Sequence, residues 1–337
     1  MKTILFSFVL LVGIPAAACS AEKNGGSIQS GQLGTIIGAI NEPTGVTLEP
    51  LRRMRGEKFE WDHEIQVALP PSYFKTEKPY PVLWVVDGLY SFDRATRIVY
   101  SEVKKHLPEM IVVGIGVPFS EVAANTQRRP YEFSSSSEAV GFEGLGGYIL
   151  EEKLSEARQR IQGSGRPVWS RTGGAADFLN FIIDEVRPVL AKEYRMSDDN
   201  TLYGHSGGGY FCTYALFART ESFSKYVCGS PNLFGSNFDL FKMEEQYANE
   251  HRDMKASVFF GVGESEILED TFNGVIPAWA IVSSTARMGE ILYLRKYPSL
   301  DINVRVFPSE DHISVIPLNL AWGLRTLWAN DARNVEQ

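Results

Sequence analysis

Apolar positions along this chain fall into two kinds of run. Over 59–69 they alternate: Phe59, Trp61, His63, Ile65, Val67 and Leu69 share one parity. Period two predicts a half-exposed, antiparallel edge strand, and Pro70-Pro71 stops it. The runs 81–86 and 110–117 are continuously apolar, which predicts strands covered on both faces. Shorter strands are predicted at 200–203, 225–228, 257–262 and 303–307. Helical stretches separate them at 91–106, 175–194, 207–219 and 318–328. Strands alternating with helices predict an α/β fold with a mostly parallel sheet flanked by helices on both faces.

Residues 118–174 break that rhythm, and a connection of this length is far beyond the usual few residues. Leu150, Leu154, Ala157 and Ile161 are spaced to line one face of a short helix. Loops that follow parallel strands sit at the ligand end of the sheet. The segment is therefore expected to be an inserted cap over the site; a plain surface insertion is the alternative.

The chain begins with Lys2, an eleven-residue apolar core at 4–14 and then Ala16-Ala17-Ala18. That core is too short to span a bilayer, and the pattern is that of a signal segment, about 1–21. Export to a periplasmic or secreted location is expected, and Cys19 introduces a lipid anchor as an alternative end state. Residues 22–43 read as a polar linker and 44–333 as one domain. No other segment looks membrane-spanning.

The 337 residues are 44% hydrophobic and 22% charged, with a formal net charge of −8. That is ordinary globular composition with material for a sizeable core. Nucleic acid is not an expected partner, because no patch of clustered Lys and Arg is visible; Arg52-Arg53-Met54-Arg55 is short and flanked by acids. Besides Cys19 there are Cys212 and Cys228, both read as small buried hydrophobes, with a bridge between them in an oxidising compartment as the alternative. No metal-ligand spacing, phosphate loop or dinucleotide fingerprint appears, so no cofactor is expected.

Candidate chemistry centres on Gly204-His205-Ser206-Gly207-Gly208, between a predicted strand and a predicted helix. Gly-x-Ser-x-Gly at such a junction is a nucleophile elbow: a strained turn lifts the serine oxygen clear of the sheet, and the helix start aims free N–H groups at an oxyanion. Of five histidines, His312 follows the last predicted strand and precedes the last helix, where the chain order Ser…acid…His puts the base. The acid should follow 257–262, where Glu264 and Glu266 compete and Glu269 and Asp270 lie just beyond. The N–H of Gly207 is one oxyanion donor. Asp87-Gly88, after 81–86, allows a turn that aims the N–H of Leu89 inward as the other.

Several stretches together carry a resemblance. They are 80–88, Gly173-Gly174-Ala175, the elbow, Ser230-Pro231, Gly263-Glu264-Ser265-Glu266 and Asp311-His312-Ile313-Ser314-Val315. In order, they resemble the esterase family that includes enterobactin-type siderophore esterases, esterase D-like thioesterases, feruloyl esterases and mycolyltransferases. The similarity runs from about residue 45 to 330 and implies the α/β-hydrolase fold. It selects Glu266 over Glu264 as the acid, matches Leu89 to an oxyanion donor and matches Ser230 to a wall of the substrate site. The expected activity is hydrolysis of a small-molecule carboxylic ester, with a siderophore ester as the specific candidate. Arg128, Arg129 and Arg171 would then meet an anionic substrate. The alternatives are an acyltransferase using the same triad and a non-catalytic binding module on a hydrolase scaffold.

Overall fold

The continuous apolar runs become the centre of one sheet. The computed structural model describes residues 45–103, 105–136, 172–233, 235–268 and 280–335, all within the compact unit Pro43–Gln337. Among the described residues, β1 (Thr47–Leu48), β2 (Arg52–Met54), β3 (His63–Leu69), β4 (Tyr80–Val86) and β5 (Ile111–Gly116) precede β6 (Met196–His205), β7 (Lys225–Gly229), β8 (Ala256–Gly263) and β9 (Leu300–Phe307). The order is β1-β3-β5-β4-β6-β7-β8-β9, with β2 also on β3. From β5 to β9 every pairing is parallel; β3 runs antiparallel to β5.

Strand β4 shows why its run has no polar break. Val82, Trp84 and Val86 join the core on one side of the sheet, whereas Leu83 and Val85 join the core on the other. Helix α1 (Gly88–Glu102) covers the second side with Phe92, Ala95 and Val99, and the last helix, α8 (Val315–Val335), adds Leu320, Leu324 and Leu327. The first side receives α3 (Ala175–Asn180) with the π-helical turn Phe181–Val186, and α5 (Gly207–Ala218). Among the described residues the remaining α-helices are α2 (Asn125–Phe133), α4 (Arg187–Glu193), α6 (Gly235–Glu250) and α7 (Ile281–Arg295).

Strand β3 differs from its expectation. It is antiparallel, but neither half-exposed nor an open edge: Glu64 and Ala68, on the face predicted to meet solvent, are buried, and β1 and β2 pair along its outer side. Alternation reports a single face. What covers the other face is α1, brought there by the β4–β5 crossover. Of the expected cap, the described part is a 3₁₀ turn, Phe119–Ala124, followed by α2. The signal segment with Cys19, the linker, the helix expected around Leu150–Ile161, Arg171, Glu269 and Asp270 lie outside the described residues.

The cysteines are buried as expected and take the bridged alternative. Cys212 on α5 and Cys228 on β7 form a disulfide, with Cα atoms 5.5 Å apart, inside the usual range for a bridge. Both are fully buried, as read, but covalently paired. The bond ties the helix behind Ser206 to the neighbouring strand. The two positions are 16 apart in sequence, and closing a loop of that size stabilises by about 3 kcal/mol. The double variant Cys212→Ala/Cys228→Ala is expected to lose about that much in chemical denaturation. An unchanged midpoint would show that the bond is not formed in solution.

Candidate active site

Ser206 stands between the end of β6 at His205 and the start of α5 at Gly207, with φ 59° and ψ −119°, a conformation that only an over-determined turn holds for a residue with a side chain. The surrounding glycines make the turn fit. A methyl group at Gly204 would collide with the carbonyl of Gly208, and one at Gly209 with the carbonyl of Gly229. The close approach thus depends on Gly204 and on Gly209, the latter one residue past the motif. Gly207 begins α5, so its N–H has no acceptor one turn back in the helix. Asp87 takes the left-handed conformation, φ 56°, between β4 and α1, and leaves Leu89 in the first turn of α1. Helices α1 and α5 therefore both start at the same end of adjacent strands β4 and β6.

His312 lies in the loop between β9 and α8, and Glu266 in a 3₁₀ turn, Glu264–Ile267, directly after β8. The His312 Nδ1 stands 3.3 Å from Glu266 Oε1. Both residues are enclosed, at 4% and 1% exposure, so the pair is shielded from solvent. Ser230 donates its hydroxyl to the same Glu266 oxygen at 2.7 Å. Behind it, Asn319 of α8 donates to Ser230 Oγ at 3.4 Å. Glu264 turns the other way, and its carboxylate accepts the Ser309 N–H at 2.9 Å. Asp311 accepts the N–H groups of Ile313 and Ser314, which hold its carboxyl below the usual carboxylate range and close the turn that carries His312.

The predicted substrate contacts separate. Arg129 binds Asp87 through Nε at 2.8 Å and Nη2 at 2.9 Å, and Nη2 lies 3.4 Å from the His205 carbonyl. Its Nη1 comes within 2.9 Å of where a side-chain carbon on Gly207 would stand, so the guanidinium flanks the elbow. Burial opposes its charge, yet Asp87 keeps its pKa above the ordinary value. Arg128, one position away on α2, instead pairs with Glu121 and lies 5.4 Å over the Trp61 ring, away from Ser206. Ser230 is fully buried behind Glu266 and forms no wall of an open site. Neither Asn319 nor the Asp87–Arg129 pair belongs to a sequence motif; both contacts are assembled across distant segments.

The profile of the family described as "Putative esterase" matches residues 56–142 and 163–295. The chain belongs to this family. It is a carboxylic ester hydrolase with the α/β-hydrolase fold. The esterase is 23% identical over 260 residues to the ferri-bacillibactin esterase BesA of Bacillus subtilis, covering 73% of this chain and 78% of that protein. It is 28% identical over 190 residues to a siderophore enterobactin esterase of Emericella nidulans, covering 53% of this chain and 56% of that one. Among solved structures it superposes on the siderophore hydrolase EstA from Aspergillus nidulans with a TM-score of 0.68 at 21% identity, covering 92% of this chain and 99% of that chain. Among the described residues no helix is long and apolar enough to cross a membrane.

Proposed function

We propose that this esterase cleaves siderophore esters through an acyl-enzyme on Ser206, with His312 as base and Glu266 as the orienting acid. The observation that carries the mechanism is the enclosed contact between His312 Nδ1 and Glu266. With Nδ1–H donated to the carboxylate, Nε2 is the nitrogen left to take a proton. Ser206 Oγ attacks the ester carbonyl as its proton passes to His312 Nε2. The carbonyl oxygen becomes an oxyanion and accepts the N–H groups of Gly207 and Leu89. Collapse breaks the ester C–O bond, and the imidazolium protonates the departing alcohol. His312 then deprotonates water, which attacks the acyl-serine, releases the acid and restores the serine hydroxyl.

The substrate class rests on the siderophore esterases among the relatives and on Arg129. An iron-loaded catecholate siderophore is anionic, and the protein itself carries a net charge of −8. Asp87 balances the Arg129 charge, and Nη1, the guanidinium nitrogen not bonded to Asp87, is the donor beside the elbow that would meet an anionic substrate. The test is a panel of ferric siderophore lactones, linear siderophore esters and a neutral aryl ester, with product analysis in the presence and absence of added alcohols. Siderophore hydrolysis is the expected result. Transfer to alcohol in preference to water would favour the acyltransferase reading, and binding without turnover of any ester would favour the binding module. Arg129→Met should raise KM for the ferric siderophore about tenfold or more, the scale of one lost charge-assisted contact. The neutral ester serves as control for the Asp87 partner; an equal rise on both substrates would assign Arg129 a bracing role only.

We also propose that the protein is exported. The 4–14 apolar core and Ala16–Ala18 support this, and a disulfide between Cys212 and Cys228 fits an oxidising compartment. Intact-mass measurement of protein from its native cells should show loss of at least the first eighteen residues, and added lipid mass on Cys19 would identify the anchored form. A chain retaining Met1 would refute export by this route.

A further inference from the structure

We infer that His205 is a positioning residue, tying the loop that carries His312 to the end of the strand that leads into Ser206. This rests on the reading of Ser206 and His312 as nucleophile and base. The topology sets the problem. His312 follows β9, while Ser206 directly follows β6, three strands away in the same sheet. At about 4.8 Å per strand the base loop must reach some 14 Å across the ends of β8 and β7. On the β8 side the loop is well held: Glu264 accepts the Ser309 N–H, and the Ser265 N–H donates to the Glu310 carbonyl at 3.0 Å. Those bonds fix the loop relative to Glu266. They do not fix it relative to the nucleophile.

His205 supplies a bond on that side. Its Nε2 lies 2.9 Å from the backbone carbonyl of His312, and the two imidazole rings are 4.8 Å apart. A carbonyl only accepts, so Nε2 carries the proton and donates. Nδ1 is buried with no partner among the described residues, as expected of a neutral ring in this tautomer. Burial first, then the neighbouring His312 charge, hold the His205 pKa well below its ordinary value; Arg129 and Arg94 act in the same direction. A neutral donor is what the place requires, since His312 itself becomes cationic during turnover and a second cation beside it would oppose that step. Room for the ring comes from Gly229, paired with His205 across β6 and β7. A side-chain carbon at Gly229 would stand 3.1 Å from His205 Nδ1 and 2.8 Å from Asn319 Nδ2.

The test compares His205→Gln, His205→Asn and His205→Leu on one aryl ester. A glutamine amide reaches about as far as Nε2 and keeps a donor; asparagine is the same chemistry one carbon shorter. Misplacement of a catalytic group by about an ångström costs up to about 100-fold in rate. Turnover is therefore expected to fall about 10- to 100-fold in the Leu and Asn variants at nearly constant KM, and to return within about fivefold of wild type in the Gln variant. A purely structural role would lower the melting temperature and impair Gln and Asn alike. Equal turnover in Gln and Asn, or a KM effect without a kcat effect, overturns the inference even if the Leu variant does not fold. Wild-type protein and Ser206→Ala run alongside: activity surviving in Ser206→Ala breaks the underlying triad reading, whereas an inactive Ser206→Ala with an unimpaired Asn variant removes the role of His205 alone.

Discussion

Ser206→Ala is expected to abolish ester hydrolysis while the protein stays folded. The loss should be on the order of a million-fold in turnover, because nucleophile, base and acid act as one unit and removal of the attacking atom leaves only binding and oxyanion stabilisation. Alanine tolerates φ 59° no worse than serine, and the turn is held by the Ser206 N–H to Gly229 carbonyl bond at 2.9 Å, which the substitution keeps. Melting behaviour should therefore be that of the wild type. A fluorophosphonate probe should label the wild type at Ser206 and leave the variant unlabelled. Labelling at another residue, or wild-type turnover in the variant, would remove Ser206 as nucleophile.

Two glutamates two residues apart are expected to respond very unequally to the same substitution. In Glu266→Gln the amide faces His312 Nδ1 with a donor where the imidazole needs an acceptor, which favours the wrong tautomer. The comparable change at a serine triad costs on the order of ten-thousand-fold in turnover. The variant also leaves Ser230 Oγ, 2.7 Å away, facing an amide in a buried site. Glu264→Gln retains an oxygen for the Ser309 N–H, so the loop stays held, and turnover should remain within about tenfold of wild type, a barrier change of at most about 1.4 kcal/mol. Turnover of both variants on one aryl ester, with circular dichroism as the folding control, separates them. A crippled Glu264→Gln beside an active Glu266→Gln would reverse the assignment.

The glutamates also mark where sequence reading stops. Had the strand continued past Gly263, residues 264 and 266 would share a face. The chain instead turns into a 3₁₀ helix at three residues per turn, which sets positions two apart on different sides. One carboxylate then meets His312 and the other meets Ser309. Arg128 and Arg129 divide for a related reason: neighbours on a helix are about 100° apart, so α2 turns one toward Trp61 and the other toward the elbow. No motif announced that helix, and without it the two arginines were equivalent.

What the sequence determined by itself is local or ordinal. Unbroken apolar runs specify strands buried on both faces, because a polar side chain on either face would lack a partner there. Gly204, Ser206 and the glycines that follow specify the elbow through close backbone contact within a few residues. Chain order alone placed His312 after the last strand. The tertiary structure decided whatever depends on segments far apart in the chain. Cys212 and Cys228 look like two small apolar residues until α5 packs on β7 and brings their Cα atoms within bonding range. Ser230 moves from an expected site wall to a donor behind Glu266, because β7 and β8 lie side by side and their C-terminal ends converge under Asn319 of α8. Burial and hydrogen-bond partnership belong to such pairs of segments, and a pattern read along one of them carries no record of the other.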